Sequence, residues 1–248
     1  MKSKNFKPVC LIICFGLLLL FSQSCKKKED IKPEPQTGDL TDSEGNYYKT
    51  VKIADRWWMA QNLRVKSYRD GSPINKLANG EDWAADTIGG FYKKALTSDE
   101  IGLLYNYYAV SNIKNIAPVG WHIATDQEWK DLEKSVGMLP EDVDKTSWRG
   151  TNQGEKLMKE RDLSTAYWEK YNDVWATDDV GFAALAGGCI MFNGAEGDIA
   201  IQHTGFWWTA TTEGKEVWYR YLDYKNKNVF RYYGPKSYGF SVRCVKDY

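Results

Sequence analysis

The sequence predicts an α+β domain with helices in the middle and antiparallel strands at the end. Three observations carry that expectation. Thr125-Asp126-Gln127-Glu128 has the Thr-x-x-Glu spacing of a capping box, and Trp129, Leu132 and Val136 follow at helical intervals until Gly137. After Gly181 the pattern changes to short β-rich runs, with Asn193-Gly194, Glu213-Gly214 and Gly234-Pro235 between them. The 248 residues, 43% hydrophobic and 15% aromatic, supply one sizeable core and exclude a disordered chain, a collagen-like repeat and a disulfide miniprotein.

The chain opens on a leader. Lys2, Lys4 and Lys7 precede thirteen uncharged, mostly apolar residues from Val9 to Phe21, and then come Ser22, Gln23, Ser24 and Cys25. Thirteen residues are too few to cross a bilayer as a helix, which takes about 17–25. A basic start, a short apolar centre and small residues before the cut describe an export signal. Ser24-Cys25 resembles the bacterial lipoprotein signal, in which cleavage before a cysteine is coupled to acylation of its thiol. Ser22 departs from the aliphatic residue usual in that pattern. Residues 1–24 are thus expected to be a lipoprotein signal peptide and Cys25 the lipidation site, carrying palmitate-type chains. Each buried methylene contributes ~0.8 kcal/mol and one chain alone binds marginally, so a multiply acylated Cys25 anchors the protein.

From Lys26 to Leu40 the sequence KKKEDIKPEPQTGDL carries three prolines or glycines and almost no apolar side chain. Residues 25–40 therefore read as a lipidated, flexible tether, whose fifteen residues after Cys25 reach ~50 Å when extended. Lys28-Glu29-Asp30 resembles the basic-then-acidic signal that sends some Bacteroidetes lipoproteins to the cell exterior, although a charged linker explains it nearly as well. Loss of the three leader lysines leaves 30 basic against 33 acidic residues, a mildly acidic product that does not favour nucleic acid.

Residues 41–248 contain no second linker and no convincing repeat, so they read as one domain. Asn46–Ile53 and Trp57–Leu63 are β-rich and separated by Ala54-Asp55-Arg56, which suits an opening hairpin. The capping-box helix follows, then a shorter helix over Glu155–Arg161 with Leu157 and Met158 inward. Strands are expected at Ala186–Met191, Asp198–Gln202, Phe206–Ala210, Val217–Tyr224, Asn228–Tyr233 and Phe240–Val245.

Several phrases stand in a fixed order: Asp42-Ser43-Glu44-Gly45-Asn46, Trp57-Trp58-Met59-Ala60-Gln61-Asn62-Leu63, Leu104-Tyr105-Asn106-Tyr107, Pro118-Val119-Gly120-Trp121-His122 and Glu128-Trp129. Later come Gly181-Phe182, Leu185-Ala186-Gly187-Gly188, Gly205-Phe206-Trp207-Trp208-Thr209-Ala210-Thr211 and Gly239-Phe240-Ser241-Val242-Arg243-Cys244-Val245. In this order they resemble the Fibrobacter succinogenes major paralogous domain, a family of exported Bacteroidetes and Fibrobacteres proteins. Ala186 stands where a proline is common, and Ala124-Thr125 where Pro-Thr is usual. The resemblance implies a relation to the C-type lectin-like superfamily, with a twisted antiparallel sheet, two main helices and long loops. It implies no established reaction and no catalytic residues.

Eleven tryptophans between Trp57 and Trp218 invite sugar stacking, because an indole can cover the apolar face of a pyranose; each is also a large core-forming group. Trp57-Trp58 and Trp207-Trp208 lie in expected strands, where neighbours face opposite sides, so one of each pair is expected inside and the other partly exposed. The exposed platform is sought among Trp83, Trp148, Trp168, Trp175, Trp208 and Trp218, with Trp175, Trp208 and Trp218 as the ligand-binding candidates.

Asp178, Asp179, Asn193, Glu196 and Asp198 are weak calcium candidates, since calcium takes six to eight oxygens. The superfamily's Glu-Pro-Asn and Gln-Pro-Asp tripeptides are absent from the sequence, and solvated loop charge is the simpler reading. No other cofactor is expected. Cys189 and Cys244 either pair as a disulfide in an exported protein or remain two buried thiols. A formylglycine-generating enzyme binds copper through two close cysteines; here the two lie 55 positions apart, Cys244 in the expected terminal strand. His122 and His203 lack zinc spacing and read as a strand and a turn residue. No Gly-x-Ser-x-Gly elbow or phosphate loop occurs.

The expectation is an outer-membrane lipoprotein, open to the cell surface, with a non-catalytic ligand-binding domain for an envelope polysaccharide or protein. The alternatives are a structural or adhesion scaffold of the envelope, and an enzyme related to formylglycine-generating or glycan-processing proteins.

Overall fold

In the computed structural model, which describes residues 34–93, 98–160, 167–191 and 202–248, the first strand, β1 (Thr37–Thr41), pairs antiparallel with β2 (Tyr47–Ile53). The tether expected to run through Leu40 is therefore shorter. Leu40 packs against the core, and Lys52 N–H donates to the Gln36 carbonyl at 2.8 Å. The sparse apolar content that suggests a linker is that of an edge strand, polar on its open side. The leader, Cys25 and the tether up to Pro33 lie outside the described residues.

The opening hairpin forms as expected. Ala54 and Asp55 have φ of 50° and 64°, and Ile53 stands opposite Arg56 at the start of β3 (Arg56–Met59). Two successive left-handed residues give the type I′ twist that matches paired strands. The strand after the turn is shorter than its expected span, and Asn62 is instead used for tertiary bonding. The sheet continues through β13 (Cys244–Lys246) to β7 (Trp121–Ile123), in the order β1-β2-β3-β13-β7.

A second sheet has the order β8 (Ser147–Arg149), β11 (Val229–Gly234), β10 (Glu216–Asp223), β9 (Thr204–Glu213), antiparallel throughout. A third, small one joins β12 (Gly239–Phe240), β6 (Leu104–Asn106), β5 (Gly90–Tyr92) and β4 (Asn75–Lys76), with β4 and β5 parallel. None of the three closes into a barrel. The expected strand Phe240–Val245 is thus split, because the chain leaves the third sheet at Phe240 and joins the first at Cys244. Ala186–Met191 makes only isolated bridges, Gly188 to Gly205 and Ile190 to Gly239. Of Asp198–Gln202, only Gln202 is described, in a turn.

Four helices occur among the described residues: α1 (Gly80–Ala85), α2 (Tyr107–Val110), α3 (Asp126–Ser135) and α4 (Gln153–Leu157). α3 has both halves of its capping box, the Thr125 side chain on Glu128 N–H and the Glu128 carboxylate on Thr125 N–H. Such a cap contributes typically ~1 kcal/mol. α4 starts and stops earlier than expected. Met158 has extended backbone and bridges to Ala184, which removes it from the helix. The molecule is sheet-rich, and no described helix is long and apolar enough to cross a membrane.

β9 divides the core. Phe206 and Trp208 enter one apolar cluster with Tyr105, Tyr219 and Phe240, while Trp207 enters the other with Trp58, Trp129 and Phe182. Both faces of this strand are covered, so period-2 alternation assigns the faces correctly without leaving either tryptophan in solvent.

Candidate functional site

The site begins with a glycine. Gly154, in the first turn of α4, donates its N–H to the Lys227 carbonyl at 2.7 Å. A Cβ there would lie 2.5 Å from the Asn228 carbonyl oxygen, so only glycine lets α4 approach the tip of the β10–β11 hairpin this closely. The next residue, Glu155, uses its carboxylate to accept Trp175 N–H at 2.7 Å and its carbonyl to accept Thr177 N–H at 3.0 Å. Between them a tight turn runs from Tyr171 to Val174, with Asn172 at φ 42° and Val174 N–H on the Tyr171 carbonyl at 2.9 Å. Val174 is buried, as is Trp168, whose Nε1–H donates to the Ala184 carbonyl at 2.9 Å. These two anchors pin the loop from within and leave Tyr171 and Trp175 on its outer side.

The surface that results is aromatic and carries charges of both signs. Trp175 is 57% exposed and Tyr171 38%. Tyr171 meets Tyr224 edge to face with centroids 5.6 Å apart, and the His203 ring stacks on Tyr224 at 4.4 Å. Lys170 Nζ stands 4.8 Å from the Trp175 ring centroid, and Lys225 Nζ stands 5.5 Å from that of Tyr171 and 5.1 Å from that of Tyr224. Nearby carboxylates are engaged: Asp173 with Lys227 at 2.7 Å, Glu169 with His203. Asp173 is held below the ordinary carboxylate range by the Lys227 hydrogen bond.

Of the three tryptophans expected to bind ligand, Trp175 is exposed and the other two are corrected. Trp208 is fully buried, donates Nε1–H to the Tyr105 carbonyl at 2.8 Å and packs on Phe240, because the first cluster covers its face of β9. Trp218 is buried beneath the Arg231 guanidinium, 3.5 Å from its ring centroid, with Nε1–H on Glu213 at 3.2 Å. Trp83 and Trp168 are also buried. Trp148 is half-buried in a row with Tyr221 and Phe230 on the face of the second sheet turned away from α3.

The acidic candidates separate. Asp178 is turned inward: its Oδ1 accepts Ala183 N–H at 2.9 Å, and burial pushes its carboxyl up to about 6. Asp179 accepts the Thr177 hydroxyl at 2.8 Å. Both hydrogen bonds shape the loop. Asn193, Glu196 and Asp198 lie outside the described residues, and no group of three metal-ligating side chains occurs among the described ones. Cys189 and Cys244 are both buried in one apolar cluster. Burial raises the Cys244 thiol pKa far above the ordinary value. His122 is in β7 and His203 in a turn, as expected.

Tyr224, Lys170 and Lys225 escaped the sequence reading, and Tyr171 and His203 were not read as part of a binding surface. Their trace is two adjacent lysine–tyrosine dipeptides, Lys170-Tyr171 and Tyr224-Lys225, 53 residues apart and joined only by the fold.

Three of the sequence phrases, those containing Asn62, Trp207 and Arg243, meet at one buried residue. Asn62 accepts Trp207 Nε1–H at 2.9 Å and Arg243 Nε–H at 2.7 Å, and donates to the Ile101 carbonyl at 2.8 Å and to Ser241 Oγ at 3.2 Å. The sequence profile of the Fibrobacter succinogenes major domain matches residues 51–246, most of the chain. The protein belongs to this family. In this Fibrobacter succinogenes major domain the Asn62 knot ties β3, β9 and the final strands to each other. The Tyr171–Trp175 loop lies within the matched residues too. No curated protein and no solved structure matches the chain.

Proposed function

We propose that this Fibrobacter succinogenes major domain is the lipid-anchored part of an outer-membrane protein, open to the cell surface, and binds an extracellular glycan or protein without catalysing a reaction. The observation that carries the reading is Trp175. All eleven tryptophans are described, and it alone is exposed. A lone exposed apolar side chain is ordinary, but the backbone of this one is held by a hydrogen bond to Glu155 and its ring lies against Lys170. A pre-positioned ring loses little freedom on binding, which is what a stacking site requires.

The anchored location is supported by the leader and by Cys25, which leaves ten residues between the acylated thiol and the first residue of the folded unit, Pro35, counted inclusive of Pro35. Against the copper-binding, formylglycine-generating alternative stands the burial of Cys189 and Cys244. A relation to the C-type lectin-like superfamily is consistent with the antiparallel terminal strands.

Two experiments test this. Cys25→Ser is expected to abolish fatty-acid labelling and release the protein from membranes; retained label rejects the anchor. A screen of the chain from Lys26 onward against glycans and envelope extracts is expected to find a ligand whose binding falls in Trp175→Ala. No ligand, or binding indifferent to Trp175, favours an envelope scaffold whose aromatics serve the core.

A further inference from the structure

We infer that the Tyr171–Trp175 surface is selective for an acidic polysaccharide, one whose pyranose rings carry carboxylates. This rests on the reading of that surface as a ligand site, and adds the charge of the ligand.

The argument lies in the two lysines over the rings. Lys170 Nζ caps Trp175, and Lys225 Nζ caps Tyr171 and Tyr224, at 4.8, 5.5 and 5.1 Å. Neither ammonium has a carboxylate partner among the described residues, although acids are close. Asp173 is taken by Lys227, Glu169 by His203, and Glu155 by the Trp175 backbone. Asp223 accepts the Lys225 backbone N–H at 2.8 Å and the Tyr221 hydroxyl. These acids keep their charge but are bonded to other groups, and the two exposed ammoniums stand beside the aromatic rings with no carboxylate in ion-pair contact, Lys225 being held by the Tyr224 side chain. A ring quadrupole holds an exposed ammonium only weakly.

A neutral sugar stacking on Trp175 has to displace Lys170 from the indole and gives it nothing in return. A uronate gives the displaced ammonium a carboxylate, while the apolar face of its ring takes the place over the indole. Two such cations on one surface match a chain with a charge on successive sugars, and charge-assisted hydrogen bonds are the stronger class. Exposed charges are screened by salt, so the selectivity must be salt-dependent.

The test uses the full lipoprotein, extracted in neutral detergent, with polygalacturonate and alginate as acidic probes and fully methyl-esterified pectin as the uncharged counterpart of the first. Affinity electrophoresis or calorimetry at low and high salt is the readout. Expected are binding of at least one polyuronate, about tenfold or more weaker binding of the ester, loss of that difference in Lys170→Gln/Lys225→Gln, and loss of all binding in Trp175→Ala. Equal affinity for acid and ester, or an acid preference that survives the double lysine variant, overturns the charge selectivity and leaves a neutral ligand site standing. Failure of both polyuronates to bind also overturns it, and whether the site itself falls is then read from the ester and from the wider glycan screen.

Discussion

Arg220 Nε donates to Glu133 Oε1 at 2.6 Å, and neither side chain reaches solvent. The pair is the centre of a lattice. Arg149 donates to the other Glu133 oxygen at 2.7 Å; Arg220 Nη1 donates to Asp126 at 2.8 Å; Arg231 grips Asp126 at 2.9 and 2.8 Å. Asp126 and Glu133 are seven residues apart, two turns of α3, and so face the same sheet. Burial by itself would raise the Asp126 carboxyl, but the guanidiniums of Arg231 and Arg220 hold it far below the ordinary range.

Removing one member leaves the others buried without a counter-charge. Glu133→Gln is expected to cost about 3–5 kcal/mol, read as a fall in the urea midpoint with unchanged slope. Replacing Glu133, Arg149 and Arg220 together by apolar residues of similar volume is expected to cost much less. A single variant as stable as the parent would show that the lattice does not hold α3 to the sheet.

Trp208 and Trp175 should behave oppositely. Trp208 is enclosed by Phe240, Tyr107 and Tyr219, so Trp208→Ala is expected to destabilise by about 3–5 kcal/mol. Trp175→Ala is expected to stay within about 0.5 kcal/mol. Denaturation of the two variants side by side checks this, and comparable losses would refute the assignment of Trp175 to the surface.

These two tryptophans also mark how far the sequence was legible. Local signals survived: the Thr125 capping box, the Ala54-Asp55 turn and the strands around Trp207 and Trp218 are dictated by short-range chemistry, and they formed where the pattern placed them. What failed were judgements that depend on which elements cover one another. Alternation places Trp208 opposite Trp207 but says nothing of a second cluster covering its face. Leu40 looks like linker until β2 lies beside it. Lys170 and Lys225 become one surface only when α4 docks on a distant hairpin through Gly154. The pairing of the inward acids of α3 has no local sequence signal, because their arginines stand on strands separated from them by up to 105 residues.

Cys189 and Cys244 give a redox prediction. Both are buried in the same cluster, and the prediction is that they are thiols. Reductant is expected to leave the thermal midpoint unchanged. A maleimide is expected to label neither in the native protein and both after denaturation. A lower midpoint with reductant, or no labelling of the denatured, unreduced chain, would instead establish the disulfide.

His122 links the two ends of the domain. Its Nε2 bonds Glu128 at 2.9 Å and its Nδ1 bonds Asp247 at 2.7 Å, while Arg56 reaches the same Glu128 oxygen at 3.2 Å. The Glu128 hydrogen bond raises the imidazole pKa above 6.5, against partial burial, with Asp247 adding to it. The folded state therefore binds this proton more tightly than the unfolded chain. Its contribution to stability is full below pH about 6.5 and disappears as the pH rises through the folded value. Glu128 is shifted the other way: burial opposes ionisation, but His122 and Thr125 outweigh it and lower its pKa. Its contribution is present above its ordinary value and is lost as the pH falls through the folded one. The pair acts together between those limits. His122→Gln is expected to lower the thermal midpoint most near pH 6, with the gap to the parent narrowing steadily toward pH 9. Parallel curves for the two proteins over that range would mean that the imidazole carries no charge in this bridge.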